Sequence, residues 1–536
     1  MTGVIYEPLE LYEKNLKDSH LAKAEAYLEA LVKRSAVHVE ENRKTVQEYN
    51  ACMESNSKLK KKLNWMLFFR VLMCITLILI PVVIWKLNPK IRELRTQIQE
   101  ADQRAEQLLA LAYKQMQPLN ELFTDRDALN LIEQTIPLLS FEGCLSVRQE
   151  ADMRINYDFA EINTWEQSTL DVLAGSYNEN PFLFENKLIH TMGVETYHGY
   201  KTIYWTEYYR DSNGKLCSRS RSETLHATVT KPKPFYTTQV ILNYCNQGGP
   251  DLCFTRDATG LHNKSDKAID RLVKRGEKKL QRKADKAVKE NSDFTSMSNT
   301  EFEVLFDALD RNNEVQFRTL FTPLAQTNMV DLLLSKTGFG DDFNFIKQKR
   351  TNQIISHHSQ GREINLLAWQ YRSYDFDAIR ENFVGKNAAF FKAVYFDFAP
   401  LWAIPAYQER PVHSLKPIPD YNQLYSLKEA EALANAVDAR YVVHPNTKTL
   451  AILKSNYIGR VDDMDETSIT AYSYDIEKLV DYVSVLGGDG KIHSVAVEWD
   501  HYLPLEAEHS FCIGTAEQTM EKEVIARRNG LCIFES

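Results

Sequence analysis

Apolar positions recur along this chain in several rhythms, and each predicts a different element. Between residues 9 and 55, Leu21, Ala24, Leu28 and Leu31 return at three and four residues, with Glu and Lys between them and no Gly or Pro to interrupt. That is the period of an amphipathic helix, and a stripe so narrow fits a solvated hairpin, a weak coiled coil or a partner-binding tail better than an independent core. Residues 65–85, WMLFFRVLMCITLILIPVVIW, carry a single charge, Arg70, and at ~1.5 Å per residue they match a hydrocarbon core of ~30 Å. Trp65 and Trp85 close the run, and Lys60, Lys61, Lys62 and Lys86 stand outside it. The pattern predicts one membrane-spanning helix, in which Arg70 snorkels to the near interface and Pro81 gives up one helical hydrogen bond.

After that run, Ile91, Leu94, Ile98, Ala101, Ala105, Leu108 and Ala112 hold a heptad seam that breaks near Met116 and Pro118. The seam predicts a helical stalk, either paired with a second copy as a homo-oligomer through residues 91–112 or packed on its own domain. From about residue 138 to 260 the period becomes two. Residues 200–210, YKTIYWTEYYR, lead through Asp211-Ser212-Asn213-Gly214 into a return strand, a hairpin signal in which Ser218, Ser220 and Ser222 alternate with Arg219, Arg221 and Glu223. The charged face can meet an anionic ligand, or it can simply face water and protect an edge. Residues 264–290 make a basic amphipathic helix in which Lys and Arg outnumber Asp and Glu roughly two to one. Such a helix either contacts anionic lipid or a protein partner, or packs by its apolar stripe with its charges solvated.

Phe302, Leu305, Phe306 and Leu309, then Phe317, Leu320, Phe321 and Leu324, predict two core helices broken by Asp310-Arg311-Asn312-Asn313. Residues 390–402, FFKAVYFDFAPLW, read as a buried strand and its continuation. Past a linker at Pro411, Pro417 and Pro419, Ser426 caps a helix with Glu429 completing a capping box. Strands are then expected at 441–443, 449–453 and 494–498, the last entered through Gly487-Gly488-Asp489-Gly490.

Composition adds limits. The chain has 536 residues, 44% hydrophobic and 26% charged, which is ordinary globular usage, and a formal charge of -9 that argues against nucleic acid as the partner. No apolar core of a secretory signal precedes residue 65, so the span is expected to be an uncleaved anchor. The flanks of the run carry equal numbers of Lys and Arg, so orientation stays open, with a slight lean to the N-terminus inside. Eight cysteines without CxxC or close pairing suggest buried thiols rather than a zinc site or a disulfide framework. Asn263-Lys264-Ser265 matches a glycosylation sequon, a tripeptide common by chance.

Catalytic signatures are incomplete. Gly487-Gly488-Asp489-Gly490-Lys491 lacks the first glycine of a phosphate loop, since Val485 stands there, and Ile492 replaces the Ser/Thr. HExxH, GxSxG and GxGxxG are missing. His357-His358, with Asp341-Asp342 upstream, is the best residual candidate for metal hydrolysis, but adjacent histidines in an extended segment point opposite ways and would rarely share one ion. No catalytic, cofactor-binding or metal-ligating residue is therefore assigned. The stretches beginning at Phe302 (FEVLFDALDRNNEVQFRTLFTPLAQTNMVDLL), Gly340 (GDDFNFIKQKRTNQIISHHS) and Phe390 (FFKAVYFDFAPLWAIPAYQ) resemble uncharacterised membrane proteins of mollicutes and other low-GC Gram-positive bacteria. That resemblance implies a bacterial membrane origin and carries no activity or site residue.

The expected architecture is α+β: a helical tail at 1–62, a transmembrane helix at 63–88 and a helical stalk at 89–137. A β-rich region at 138–260, a helical region with the basic helix at 261–336 and an α+β region at 337–536 follow, with a mostly antiparallel sheet. The expected role is a membrane-anchored, non-enzymatic binding or scaffolding protein. The alternatives are a tethered metal-dependent hydrolase using His357 and His358, or a structural component of an envelope or secretion assembly.

Overall fold

The computed structural model describes residues 4–75, 83–160, 165–290, 295–412, 416–515, 524–528 and 530–535. The chain is α+β and its contacts divide it into two units, a helical one (residues 10–137 and 365–396, with residue 1) and a sheet-based one (residues 2–9, 138–364 and 397–536).

In the helical unit, α1 (Lys17–Ser35) ends where Ala36 turns left-handed at φ 53°, and α2 (Val39–Ile75) follows. The heptad of α3 (Asn88–Asn120) is filled within the chain, because α2 and α3 pack along each other with Ile91, Leu94, Ile98, Leu108 and Ala112 buried. Polar bonds fix the register: Asn56 donates to Asp102 at 2.5 Å and Gln115 to Thr45 at 3.1 Å. The α1 stripe is also used internally, with Ala24, Leu28 and Leu31 packed among Met116, Leu119, Phe123, Ile379 and Phe383.

The predicted span is corrected here. The described part of the run, residues 65–75, is the end of α2. Residues 76–82 lie outside the described residues. Among the described residues no helix is long and apolar enough to cross a membrane. The expected transmembrane helix and single-pass membrane localisation are therefore withdrawn.

The sheet-based unit holds two antiparallel sheets. In the first, β1 (Leu139–Phe141), β2 (Gln167–Tyr177), β3 (Asn180–Arg210), β4 (Leu216–Cys245), β5 (Cys253–Arg256), β6 (Phe343–Gln348) and β7 (Thr351–Ser356) run in the order β1-β2-β3-β4-β7-β6-β5. In the second, β8 (Ile452–Val461), β9 (Met464–Leu486), β10 (Ile492–Thr515), β11 (Ala526–Arg528) and β12 (Leu531–Glu535) run β11-β12-β10-β9-β8. The 31 residues of β3 would reach roughly 100 Å if straight, and they pair with β4 without a register break from Phe182↔Tyr244 to Arg210↔Leu216. The predicted turn closes this hairpin: Gly214 takes φ +76° and donates its N–H to Asp211 O at 2.9 Å.

β2 pairs with β3 only as far as Ile189, and β7 pairs with β4 only from Leu242, so the rest is a two-stranded ribbon. Such a ribbon is marginal alone and needs a second layer. The β9/β10 hairpin supplies it, with Val495 and Val497 packing on Ile203, Leu225 and Ala227. Gly199 sits at the closest approach, where an added Cβ would lie 2.2 Å from Ala496 O. Gly199→Ala is expected to push the ribbons apart and cost about 1–3 kcal/mol, read as a lower urea midpoint; an unchanged midpoint would refute the close crossing.

The helices of this unit are α4 (Val147–Tyr157), α5 (Asp266–Glu290), α6 (Thr300–Phe306), α7 (Glu314–Leu320), α8 (Pro323–Leu334) and α10 (Leu427–Asn435), while α9 (Phe376–Trp402) begins in the helical unit and ends here. The Phe-rich stripes of α6 and α7 are core, as their period predicts, and Asn313 caps α7 by accepting from Gln316 N–H at 3.0 Å. The strand expected at 390–402 is instead the end of α9. Those positions are buried on nearly every side, so no polar face reveals the period. Residues 439–441 form a 3-10 turn where a strand was expected to begin. Ser426 does cap α10, but Glu429 turns away from the capping box to accept from Leu145 N–H at 2.9 Å and pair with Arg528. Cys52, Cys144, Cys217, Cys245, Cys253, Cys512 and Cys532 are free thiols.

Candidate functional site

The residues singled out for metal chemistry are split up by the fold. Asp341 and Asp342 are neighbours with different partners. Asp341 accepts from the buried Arg256 guanidinium, from Thr259 N–H and Leu261 N–H at 3.0 Å each, and from Thr259 Oγ1 at 2.9 Å. Asp342 faces His358. His357 is exposed, while His358, one residue on in a 3-10 turn, is packed inside.

The His358 ring lies between two carboxylates, with Nδ1 2.6 Å from Asp342 Oδ2 and Nε2 3.3 Å from Asp397 Oδ1. Phe339 stacks on it, centroids 3.8 Å apart and planes 2° from parallel. Burial alone would lower the imidazole pKa, but the hydrogen bonds to Asp342 and Asp397 outweigh it and push it up to about 9. Burial likewise raises the Asp397 carboxyl, and His358 and Arg362 more than offset this, holding it below the usual range. An imidazolium with both nitrogens donating has no lone pair for a metal. Ser359 Oγ donates to Asp397 at 2.8 Å, so its proton goes to the carboxylate and the Ser, His and Asp here do not form a nucleophile relay. Among the described residues no group of three His, Cys, Asp or Glu could hold a metal ion. The cluster ties β6, the turn after β7 and α9 together as a buried ion network.

The surface with the clearest chemical character lies on the long ribbon. In the β3/β4 register even-numbered residues face even-numbered residues, Tyr200 opposite His226, Tyr204 opposite Ser222 and Tyr208 opposite Ser218. From Thr196 to Tyr208, and from Ser218 to Thr230, every even position is Tyr, Thr, Ser or His, and every one is exposed. Tyr200, Tyr204 and Tyr208 are 67%, 75% and 69% exposed, which leaves whole phenol rings available. Hydroxyls tie the face across the strands, Thr196 to Thr230 at 3.2 Å and Thr202 to Thr224 at 3.1 Å, and the His198 and His226 nitrogens lie 2.9 Å apart. The Tyr200 ring stacks on His226, centroids 4.9 Å apart.

From residue 195 to 209 and from 217 to 233 the charges of the ribbon occupy its odd positions. There Lys231 pairs with Asp481 at 2.6 Å and lies 4.1 Å over Trp499, and Glu223 accepts Gly488 N–H at 2.6 Å, so much of this face meets the β9/β10 hairpin. Nearer the tip, Arg219 and Arg221 both pair with Glu207, at 2.6 and 2.8 Å. The sequence reading weighed the charged face as a ligand site and missed the neutral one. Its signal was present as the Tyr-x-Thr-x-Tyr-x-Thr-x-Tyr alternation of residues 200–208.

The basic helix expected at 264–290 is α5, and its stripe is packed, with Ile269, Leu280 and Ala287 buried. The Gly487–Gly490 segment is a hairpin turn, as its missing phosphate-loop residues imply, with Gly490 N–H donating to Gly487 O at 2.9 Å. Compared with known proteins, the chain matches no family model, no curated protein and no solved structure.

Proposed function

We propose that this chain is a non-enzymatic binding or scaffolding protein that engages a protein partner through the open face of the β3/β4 ribbon. One observation carries the reading: in a chain 26% charged, this exposed face carries no carboxylate, ammonium or guanidinium from Thr196 to Tyr208 or from Ser218 to Thr230. Tyr gives large, rigid, amphipathic contact area at low entropic cost, and Ser and Thr give adaptable hydrogen bonds. This is the composition of paratopes and of interface cores, from which charge is depleted. The second hairpin stiffens the ribbon from behind, so little ordering entropy is lost on docking.

The test compares the full chain with Tyr200→Ser/Tyr204→Ser/Tyr208→Ser, first confirming equal melting temperatures. A partner captured by the native chain is purified and titrated against both. The expected result is a loss of about 2–4 kcal/mol in binding, as for aromatic hot spots. Equal affinity would overturn the assignment of this face. Sedimentation that showed a dimer lost in the same variant would make the partner a second copy.

A further inference from the structure

Beside α5, and independent of the ribbon face, lies a half-open groove of 580 Å³, inside the usual size range of small-ligand sites. It is built where α5 crosses α6 closely: a Cβ added at Gly276 would lie 2.4 Å from Val304 Cγ1. That approach leaves Leu272, Leu280, Val304 and Leu309 as an apolar floor. Lys264, Arg271, Arg275 and Lys279 line the same groove.

Arg271, Arg275 and Lys279 stand at successive steps of four residues, hence on one helical face, and like charges so placed destabilise a helix. Lys264 Nζ donates to Thr259 O at 2.7 Å, whereas Arg271 and Arg275 form no ion pair among the described residues. The acidic lining residues do not balance this row. Glu303 is bound by Arg311 at 2.5 Å and by Met297 N–H at 2.7 Å, which leaves Asp307. The groove therefore combines an apolar floor with a cationic wall.

We infer that this groove binds a single-chain anionic amphiphile, a long-chain carboxylate whose head meets Arg271 and Arg275 and whose chain lies on the Leu272–Val304 floor. Guanidinium groups bind carboxylates through paired, charge-assisted hydrogen bonds. A small inorganic anion would satisfy the wall and leave the floor wet, and a neutral hydrocarbon would fill the floor and leave the wall uncompensated.

Calorimetric titration of the full chain with dodecanoate, kept below its micelle concentration, tests this against dodecan-1-ol and acetate. Dodecanoate is expected to bind one to one, with dodecan-1-ol about tenfold weaker or worse and acetate giving no heat. Arg271→Glu/Arg275→Glu should weaken dodecanoate by about tenfold or more at an unchanged melting temperature. If that variant fails to fold, Arg271→Gln/Arg275→Gln gives the same comparison without charge reversal. No binding of dodecanoate, equal binding by the folded variants, or equal binding of the alcohol would each overturn the inference. Because no ribbon residue is altered, failure here leaves the protein-binding face unaffected.

Discussion

Replacing Arg256 by Met is expected to destabilise the sheet-based unit by about 3–5 kcal/mol, the cost of leaving a buried charge without its partner. Arg256 and Asp341 expose only 1% and 0% of their side chains. Arg256 also donates to Phe343 O at 2.5 Å and lies 4.6 Å over the Phe343 ring. Met fills much of the same volume, so the loss reports the ion pair more than a cavity. Asp341 keeps its bonds from Thr259 and Leu261, which places the effect toward the lower end of that range. Asp341→Asn on top of Arg256→Met should recover part of the loss by removing the stranded charge. Urea unfolding of the two variants is the measurement, and a shift from Arg256→Met below about 1 kcal/mol would show that the pair is dispensable.

Stability should also fall on the alkaline side because of His358. Its folded pKa, about 9, lies above the ordinary 6.5, so the native state holds a proton that the unfolded chain has released. The contribution is fully present below pH 6.5 and is lost as pH rises through 9, for a total of roughly 3 kcal/mol. Asp342, Asp397 and Arg362 are the charged groups around the ring. Lys347 titrates nearby in pH with the opposite sign, since burial lowers its amine to about 7 and its penalty is relieved as pH rises toward 10.5. The effect is therefore read as a difference between the native chain and His358→Gln. The stability gap between them should be widest near pH 6 and narrow by pH 10. A gap that stayed constant across that range would rule out an imidazolium held by two carboxylates.

These two predictions rest on pairings that no reading of adjacent letters could supply. Asp341 and Asp342 look interchangeable in sequence, but the chain enters β6 through them and alternate carboxylates take different neighbours. The same holds for His357 and His358. Whether the two rings converge on an ion, or one faces water and the other a buried carboxylate pair, depends on Asp397, 39 positions beyond His358 and on another element. The Arg/Ser alternation of residues 218–223 correctly located two faces. It could not show that a second hairpin would cover much of the charged face and leave the neutral one open.

The sequence by itself determined the local elements: the two-residue rhythm and Asp-Ser-Asn-Gly turn of the long hairpin, the Phe stripes of α6 and α7, the basic helix α5 and the mixed, antiparallel class. Turn chemistry and periodicity act over a few residues, so they are written in neighbouring positions. Only the tertiary structure decided what covers each apolar surface. The seam of α3 is filled by α2, and the apolar run at 390–402 is a helix buried on nearly every side, which leaves no polar face to show its period. α2 holds the described end of the run at 65–85, and among the described residues no helix is long and apolar enough to cross a membrane. Burial is set by whichever distant segment packs there, and a hydrophobic stretch reads alike whether its cover is lipid, another copy or the chain's own helix.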